Sequence, residues 1–245
     1  VETERSSPPA FYALARGGWR DYVTLLHLPY TAWHLAYVAI GAGLAPTLDG
    51  GRLVASLAAF GLAVGVAAHC LDELHGRPLG TAVPRGALRA MAAIGLAGAV
   101  ILGVAGIDEL GPGLIAFIAV GALAVPAYNL ELFGGRLHGD HAFALLWGAF
   151  PVLTGYFAQA ETLAPEAFAG AAAAYAFSLA QRRLSNEARG IRRRARTVEG
   201  RIAWRDGQDE VLDTARLLAP HEAALRALAA GHVLIAVALV LAALR

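Results

Sequence analysis

Long runs of apolar residues, uninterrupted by charge, constrain this chain more than any motif does. A helix needs about 20 such residues to cross a bilayer core, with a tolerance of roughly 17–25. Seven blocks of this kind stand in the sequence: Leu25–Leu44, Leu53–Leu71, Leu88–Ile107, Gly113–Leu130, Ala142–Ala158, Ala167–Ala180 and Ala223–Leu244. The fifth and sixth are short and call for tilt or extension. Lipid offers the backbone no hydrogen-bond partner, so each block is expected to be helical, and the polar–apolar alternation of a barrel is absent. The expected fold class is all-α, a polytopic membrane bundle of about seven transmembrane helices. Composition points the same way: 57% of residues are hydrophobic and 16% charged, against roughly half and a quarter in soluble domains. A disordered chain and an ordinary soluble enzyme are both excluded. The single cysteine, Cys70, excludes an internal disulfide and a thiolate metal cluster.

The net charge of +1 hides a strong asymmetry, and all 20 basic residues are arginine. The loops at 44–53, 107–113 and 158–167 hold acids and one arginine, Arg52. The alternate loops hold Arg5, Arg16, Arg20, Arg77, Arg85, Arg136 and a dense run from Arg182 to Arg216. Short Arg-rich loops stay in the cytoplasm, so the expected orientation in the cytoplasmic (inner) membrane has the N-terminus inside and the C-terminus outside. Residues 1–22 are expected to be a cytoplasmic or interfacial segment. Its first ten residues, with Glu2, Glu4 and a proline pair, do not read as a cleavable signal, and Phe11–Tyr22 suits a helix in the headgroup layer. Residues 23–245 form one integral domain, interrupted by a basic cytoplasmic loop at 182–222. That run reads as a solvated face on anionic headgroups; no recognition fold accompanies it, so nucleic acid is not an expected partner.

Ionisable residues gather at the Arg-rich span ends, which marks them as candidate functional residues. The second span ends in His69, Cys70, Leu71, Asp72, Glu73, Leu74, His75, Gly76, Arg77 and Pro78. The fourth ends in Tyr128, Asn129, Leu130 and Glu131, and Arg136, His138, Asp140 and His141 come next. The sixth ends in Gln181, Arg182, Arg183, Leu184, Ser185, Asn186, Glu187, Ala188 and Arg189. Asp72-Glu73-x-x-Gly76 and Asn186-Glu187-x-x-Gly190 repeat one pattern after spans two and six, as an internal duplication would.

On these residues the chain resembles the UbiA superfamily of intramembrane prenyltransferases. Leu26-His27-Leu28-Pro29 opening span one, Asp72-Glu73 with Arg77-Pro78 and Pro84-Arg85-Gly86, Tyr128-Asn129 with Trp147-Gly148, Pro151 and Gly155-Tyr156, and Asn186-Glu187 occur in that family's order. The resemblance covers most of residues 20–195. It implies helices around a central cavity, with acidic motifs on spans two and six that hold Mg²⁺ against the diphosphate of a polyprenyl donor. Against the family's N-D-x-x-D-x-x-x-D, the first motif reads Asp72, Glu73, Gly76 and Gly80, and the second Asn186, Glu187, Gly190 and Arg194; each keeps one strong carboxylate. One span succeeds the second motif where the family has three, which leaves room for a partner chain or a homo-oligomer.

The implied function is transfer of a polyprenyl group from a polyprenyl diphosphate to a small acceptor of quinone- or lipid-precursor type at the cytoplasmic face. Asp72, Glu73 and Glu187 are the candidate Mg²⁺ ligands and catalytic carboxylates, and His69 or Asp72 the candidate base. Arg77, Arg85, Arg136, Arg182 and Arg189 are candidate diphosphate partners, since guanidinium grips phosphate in a bidentate fashion. Tyr128, Asn129, Asn186 and Tyr156 complete the candidate substrate-binding set, and Trp33, Tyr37, Phe150 and Tyr156 are expected to flank the carbocation. For each, packing or capping is the plainer reading: Asp72 and Glu73 pairing with Arg77 and Arg89, for instance, or His138, Asp140 and His141 in a solvated loop rather than a zinc site. The competing function is a non-catalytic UbiA-like membrane subunit that binds a quinone or polyprenyl lipid. A transporter has less support, because charges inside spans three to six are few.

Overall fold

The computed structural model describes residues 9–245, so Glu2, Glu4 and Arg5 lie outside the described residues. The described residues are all-helical apart from one small hairpin. Helix α1 is Trp19–Leu25, α2 Leu28–Leu44, α3 Gly50–Leu74, α4 Arg85–Leu110, α5 Leu114–Asn129, α6 Asp140–Ala160, α7 Pro165–Arg194 and α8 Thr214–Ala243. Strands β1 (Arg201–Ala203) and β2 (Asp209–Val211) pair antiparallel between α7 and α8.

Among the described residues four helices, α3, α4, α6 and α8, are long and apolar enough to cross a membrane, and α5 is a shorter apolar helix. Helix α2 has seventeen residues, and the second half of α7 is charged. The structure corrects two expectations. The stretch 182–222 is not a loop: α7 runs on to Arg194, and the hairpin and the start of α8 fill the rest. The helix expected over Phe11–Tyr22 forms only from Trp19, because Gly17 and Gly18 take positive φ values that halt a helix ahead of it.

Where the chain starts each helix is readable chemistry. Asp49 caps α3 and Asp213 caps α8, each accepting from a backbone N–H three residues on, which satisfies a donor the helix leaves open. Pro29 and Pro165 stand in first turns that need no N–H.

Helix α6 is the centre of the bundle: 61% of its apolar window is buried, against 11% for α4 and 17% for α8. The outer helices instead display Ile94, Ile101, Val104, Ile115, Leu123 and Leu234, a surface that suits lipid rather than water. Helices α2 and α6 meet backbone to backbone. A Cβ on Gly41 would stand 2.0 Å from the Val152 carbonyl oxygen, and one on Gly155 would stand 2.1 Å from that of Val38. Close approach through small residues is the usual contact where lipid removes any hydrophobic drive between helices. Trp33, Tyr37, Val152 and Ala174 fill the core beside this seam.

The acid-bearing loops meet at one end of the bundle. Arg52 donates to Glu109 at 2.7 Å, to Glu161 at 3.0 Å and to the Gln159 carbonyl at 3.3 Å. The Asp49 N–H donates to Gln159 Oε1 at 2.7 Å. The arginine-rich segments meet at the other end, around a polar cavity.

Candidate functional site

That cavity has a volume of about 570 Å³ and lies among the start of α2, the end of α3, the end of α5, the start of α6, the charged half of α7 and the first turns of α8. Its deep wall is apolar and aromatic: Val64, Ala68, Phe143 and Trp147. Its rim carries Asp72, Arg182, Arg189 and Arg193, with the ion-paired Arg192 and Glu222 on one side.

Two π-helical stretches shape it, Gly61–Ala68 within α3 and Ala144–Ala149 within α6. A π turn accommodates an extra residue and re-aims the rest of its helix, which is why such turns collect at functional sites. Val64 and Ala68 lie in the first and Trp147 in the second. His69 and Asp72 come directly after the first, on the part of α3 whose facing it sets.

Five imidazoles border the cavity, His27, His34, His69, His75 and His138, and all but His75 are tied through Nδ1. His69 bonds the Gly65 carbonyl at 3.2 Å, His34 that of Trp147 at 2.8 Å, and His138 that of Tyr128 at 3.0 Å. A ring that donates Nδ1–H to a carbonyl keeps Nε2 as an acceptor. His27 stacks on His69 with centroids 4.0 Å apart and bonds the Tyr12 hydroxyl at 3.0 Å. Burial, with Tyr30 beside it, pushes the Tyr12 phenol up, so it remains a hydroxyl and a donor. Pro9–Tyr12 thereby lies against the mouth of the cavity.

The cationic side is crowded. Arg182 donates to Asp140 at 3.1 Å and stands over the Phe143 ring at 5.3 Å. Arg189, beyond the apolar stretch of α7 at 167–180, donates to Asn186 at 2.6 Å. Burial, then the neighbouring Arg182 and Arg193, pull its guanidinium below the ordinary range. Two buried polar atoms on the cavity wall, Tyr128 Oη and Gln181 Oε1, have no hydrogen-bond partner among the described residues, a state that is costly unless a ligand or water completes it.

Of the candidate residues, Asp72, His69, Arg77, Tyr128, Asn129, Arg182 and Arg189 line this cavity together. The Arg77 guanidinium, however, donates to the carbonyls of Thr81 and Val83 at 2.8 Å each. Glu73 does not line it. Fully buried, its carboxylate accepts from Leu79 N–H at 3.0 Å, Thr81 N–H at 2.7 Å and the Thr81 hydroxyl at 2.9 Å. Asp21 takes the Ala82 N–H at 2.9 Å, so three charged side chains stitch the loop after α3. Glu187 is exposed and off the cavity, as are Arg85, Arg136 and Asn186.

Tyr156 lies away from this cavity, donating to Glu166 at 2.6 Å near the end that Arg52 clasps. The aromatic wall also differs from expectation. Trp33 stacks on His232 inside the core, while Tyr30, Phe143 and Trp147 face the space. His34, Arg193 and Glu222 are among the cavity residues given no site role in the sequence reading; the depth of His34 leaves no local pattern to find.

The geometry does not make a Mg²⁺ cage. Among the described residues no three His, Cys, Asp or Glu side chains form a metal-holding group. Glu73 has its oxygens engaged and Glu187 faces away. Asp72 stands within electrostatic reach of Arg189, His138 and Arg193, where a second cation is repelled.

A second cavity, about 260 Å³, runs between α3, α4, α5 and α6 toward the Arg52 end. Phe60, Leu96, Phe117, Leu146 and Phe150 line it. The two cavities share Val64 and Trp147 as wall. No family model, curated protein or solved structure matches this chain.

Proposed function

We propose that this chain is a UbiA-like protein of the cytoplasmic membrane, crossing it seven times with its N-terminus inside and its C-terminus outside. It takes a polyprenyl diphosphate from the bilayer and moves the polyprenyl group to a small acceptor of quinone- or lipid-precursor type. The observation that carries this reading is the pairing of an arginine-rimmed cavity with an apolar one across Val64 and Trp147. An amphiphile with an anionic head and a long hydrocarbon tail matches both halves; a polar metabolite matches only the first.

The residues at hand define the chemistry. The allylic C–O bond breaks and its electron pair leaves on the diphosphate, where fixed guanidinium charge stabilises it. The rings of Tyr30, Phe143 and Trp147 face the cation that remains. The acceptor's nucleophilic atom forms the new bond to that carbon, and its proton passes to His69 or Asp72. Glu73 is engaged by its loop and Glu187 is exposed, which supports a leaving diphosphate stabilised by guanidinium groups.

The engaged state of Glu73 favours a second reading, a non-catalytic relative that binds the lipid and does not turn it over. Purified protein in nanodiscs, given farnesyl diphosphate and a hydroxybenzoate or a glycerol phosphate as acceptor, separates the two. Release of diphosphate with a prenylated product supports the transferase. Saturable binding without product supports the non-catalytic reading, and neither binding nor product contradicts both.

A further inference from the structure

We propose that the cavity grips its phosphorylated headgroup directly, through Arg182, Arg189 and Arg193 with the Tyr128 hydroxyl as a further donor, and needs no divalent cation to do so. The inference rests on the reading of the cavity as a site for a phosphorylated lipid.

Three observations lead to it. First, the positive charge is already built in. Arg189 and Arg193 both face the cavity; of the three carboxylates that line it, Glu222 pairs with Arg192, Glu131 stands by His75 and His138, and Asp72 makes no hydrogen bond or ion pair to Arg189 or Arg193 among the described residues. Arg182 is anchored through Nε to Asp140 and braced over Phe143, so its terminal nitrogens remain for a ligand. A guanidinium fixed in this way loses little freedom on binding and offers phosphate oxygens parallel N–H donors. Second, the hydroxyl of Tyr128, a residue that lines the cavity, is buried without a partner among the described residues, and a turn of its ring toward a phosphate oxygen would supply the acceptor it lacks. Third, the carboxylates that would bring a metal are committed elsewhere: Glu73 holds the loop at 79–81, and Glu187 faces away from the cavity.

The two ways of holding a diphosphate predict opposite signs at Asp72. If a metal bridges protein and headgroup, Asp72 is its ligand, and Asp72→Asn weakens binding. If guanidinium groups act alone, Asp72 only repels the headgroup, and Asp72→Asn strengthens it.

The experiment is calorimetric titration of farnesyl diphosphate into the full chain in detergent, once with EDTA and once with Mg²⁺, and repeated with inorganic pyrophosphate. The expected result is a Kd that agrees within about twofold between the two conditions, falls about threefold or more in Asp72→Asn, and rises about tenfold or more in Arg189→Gln, tenfold being about 1.4 kcal/mol. Arg193→Gln, on an exposed side chain, is expected to weaken binding without risk to folding. Arg189→Lys keeps the charge and loses the fork, and is expected to fall between wild type and Arg189→Gln. Binding by pyrophosphate as well as farnesyl diphosphate assigns the grip to the headgroup. Binding seen only with Mg²⁺, or weakened by Asp72→Asn, overturns the direct grip and leaves the lipid reading standing. Absence of binding in both conditions removes the lipid reading and this inference with it.

Discussion

Glu73 and Glu187 hold the same place in two similar sequence patterns, yet one is buried with three donors and the other faces outward. The difference lies in the path of the chain beyond each acid. After Glu73 the chain turns at once through Gly76, Arg77 and Gly80, all at positive φ, and the returning loop presents its N–H groups to the carboxylate. After Glu187 the helix continues to Arg194, so no free N–H arrives. The sequence pattern shows where acids stand but not whether the chain beyond them turns back. Glu73→Ala, which strips the loop of its acceptor, is expected to cost about 3 kcal/mol, since bonds to a buried charged group are worth roughly 1.5–3 kcal/mol each and unmet donors add to the loss. Glu187→Gln, at an exposed site, is expected to change stability by less than about 0.5 kcal/mol. Thermal unfolding of both variants in one detergent checks the pair; equal losses would mean that Glu73 does not hold the loop.

At the scale of elements, the first five apolar blocks fall close to helix limits because long apolar helices leave a compositional trace, whereas α7 and α8 run well into polar sequence beyond the blocks at 167–180 and 223–244. The caps at Asp49 and Asp213 are local signals of helix starts that the apolar blocks alone do not carry. The π-helical stretches were not readable: GLAVGVAA and ALLWGA carry no polar or proline mark, and their hydrogen-bond pattern is decided by packing around them. With them the facing of His69 and Asp72 was lost from view. The α2–α6 seam was equally silent, since glycine is common throughout a chain with 28 of them, and only the fold selects Gly41 and Gly155 for contact. Gly41→Ala places a Cβ against a backbone oxygen that cannot step aside, and a loss of about 2–3 kcal/mol is expected from overpacking. Gly231→Ala, with open space around the new Cβ, is expected to be neutral or stabilising by about 0.5–1 kcal/mol, because alanine is the better helix former. The melting temperatures of the two variants should therefore move in opposite directions or, at the least, differ clearly; a Gly41→Ala protein as stable as wild type would mean the helices do not meet there.

For the molecule as a whole, the arginine asymmetry was the most informative line in the sequence, and its exception proved structural. Arg52, alone among the acid-bearing loops, is the clasp that joins three of them. Arg77, Arg182, Arg189, Arg192 and Arg193 line the polar cavity, Arg201 and Arg205 lie in the hairpin, and Arg245 follows the far end of α8; the weight of arginine on the cavity side carries the proposed orientation. It predicts that a membrane-impermeant maleimide added to intact cells labels Asp108→Cys, exposed where α4 ends near Arg52, and not Arg205→Cys, exposed beside the hairpin. The native Cys70 is fully buried and serves as a silent background. Labelling of Arg205→Cys alone would invert the topology. The central claim is that the paired cavities hold one phosphorylated lipid, and native mass spectrometry of the chain released from gently solubilised membranes tests it most directly. The account predicts one polyprenyl phosphate or diphosphate retained per chain, lost when Arg182 and Arg189 are both replaced by glutamine. Adducts that merely mirror the bulk phospholipids, unchanged by those two substitutions, would contradict it.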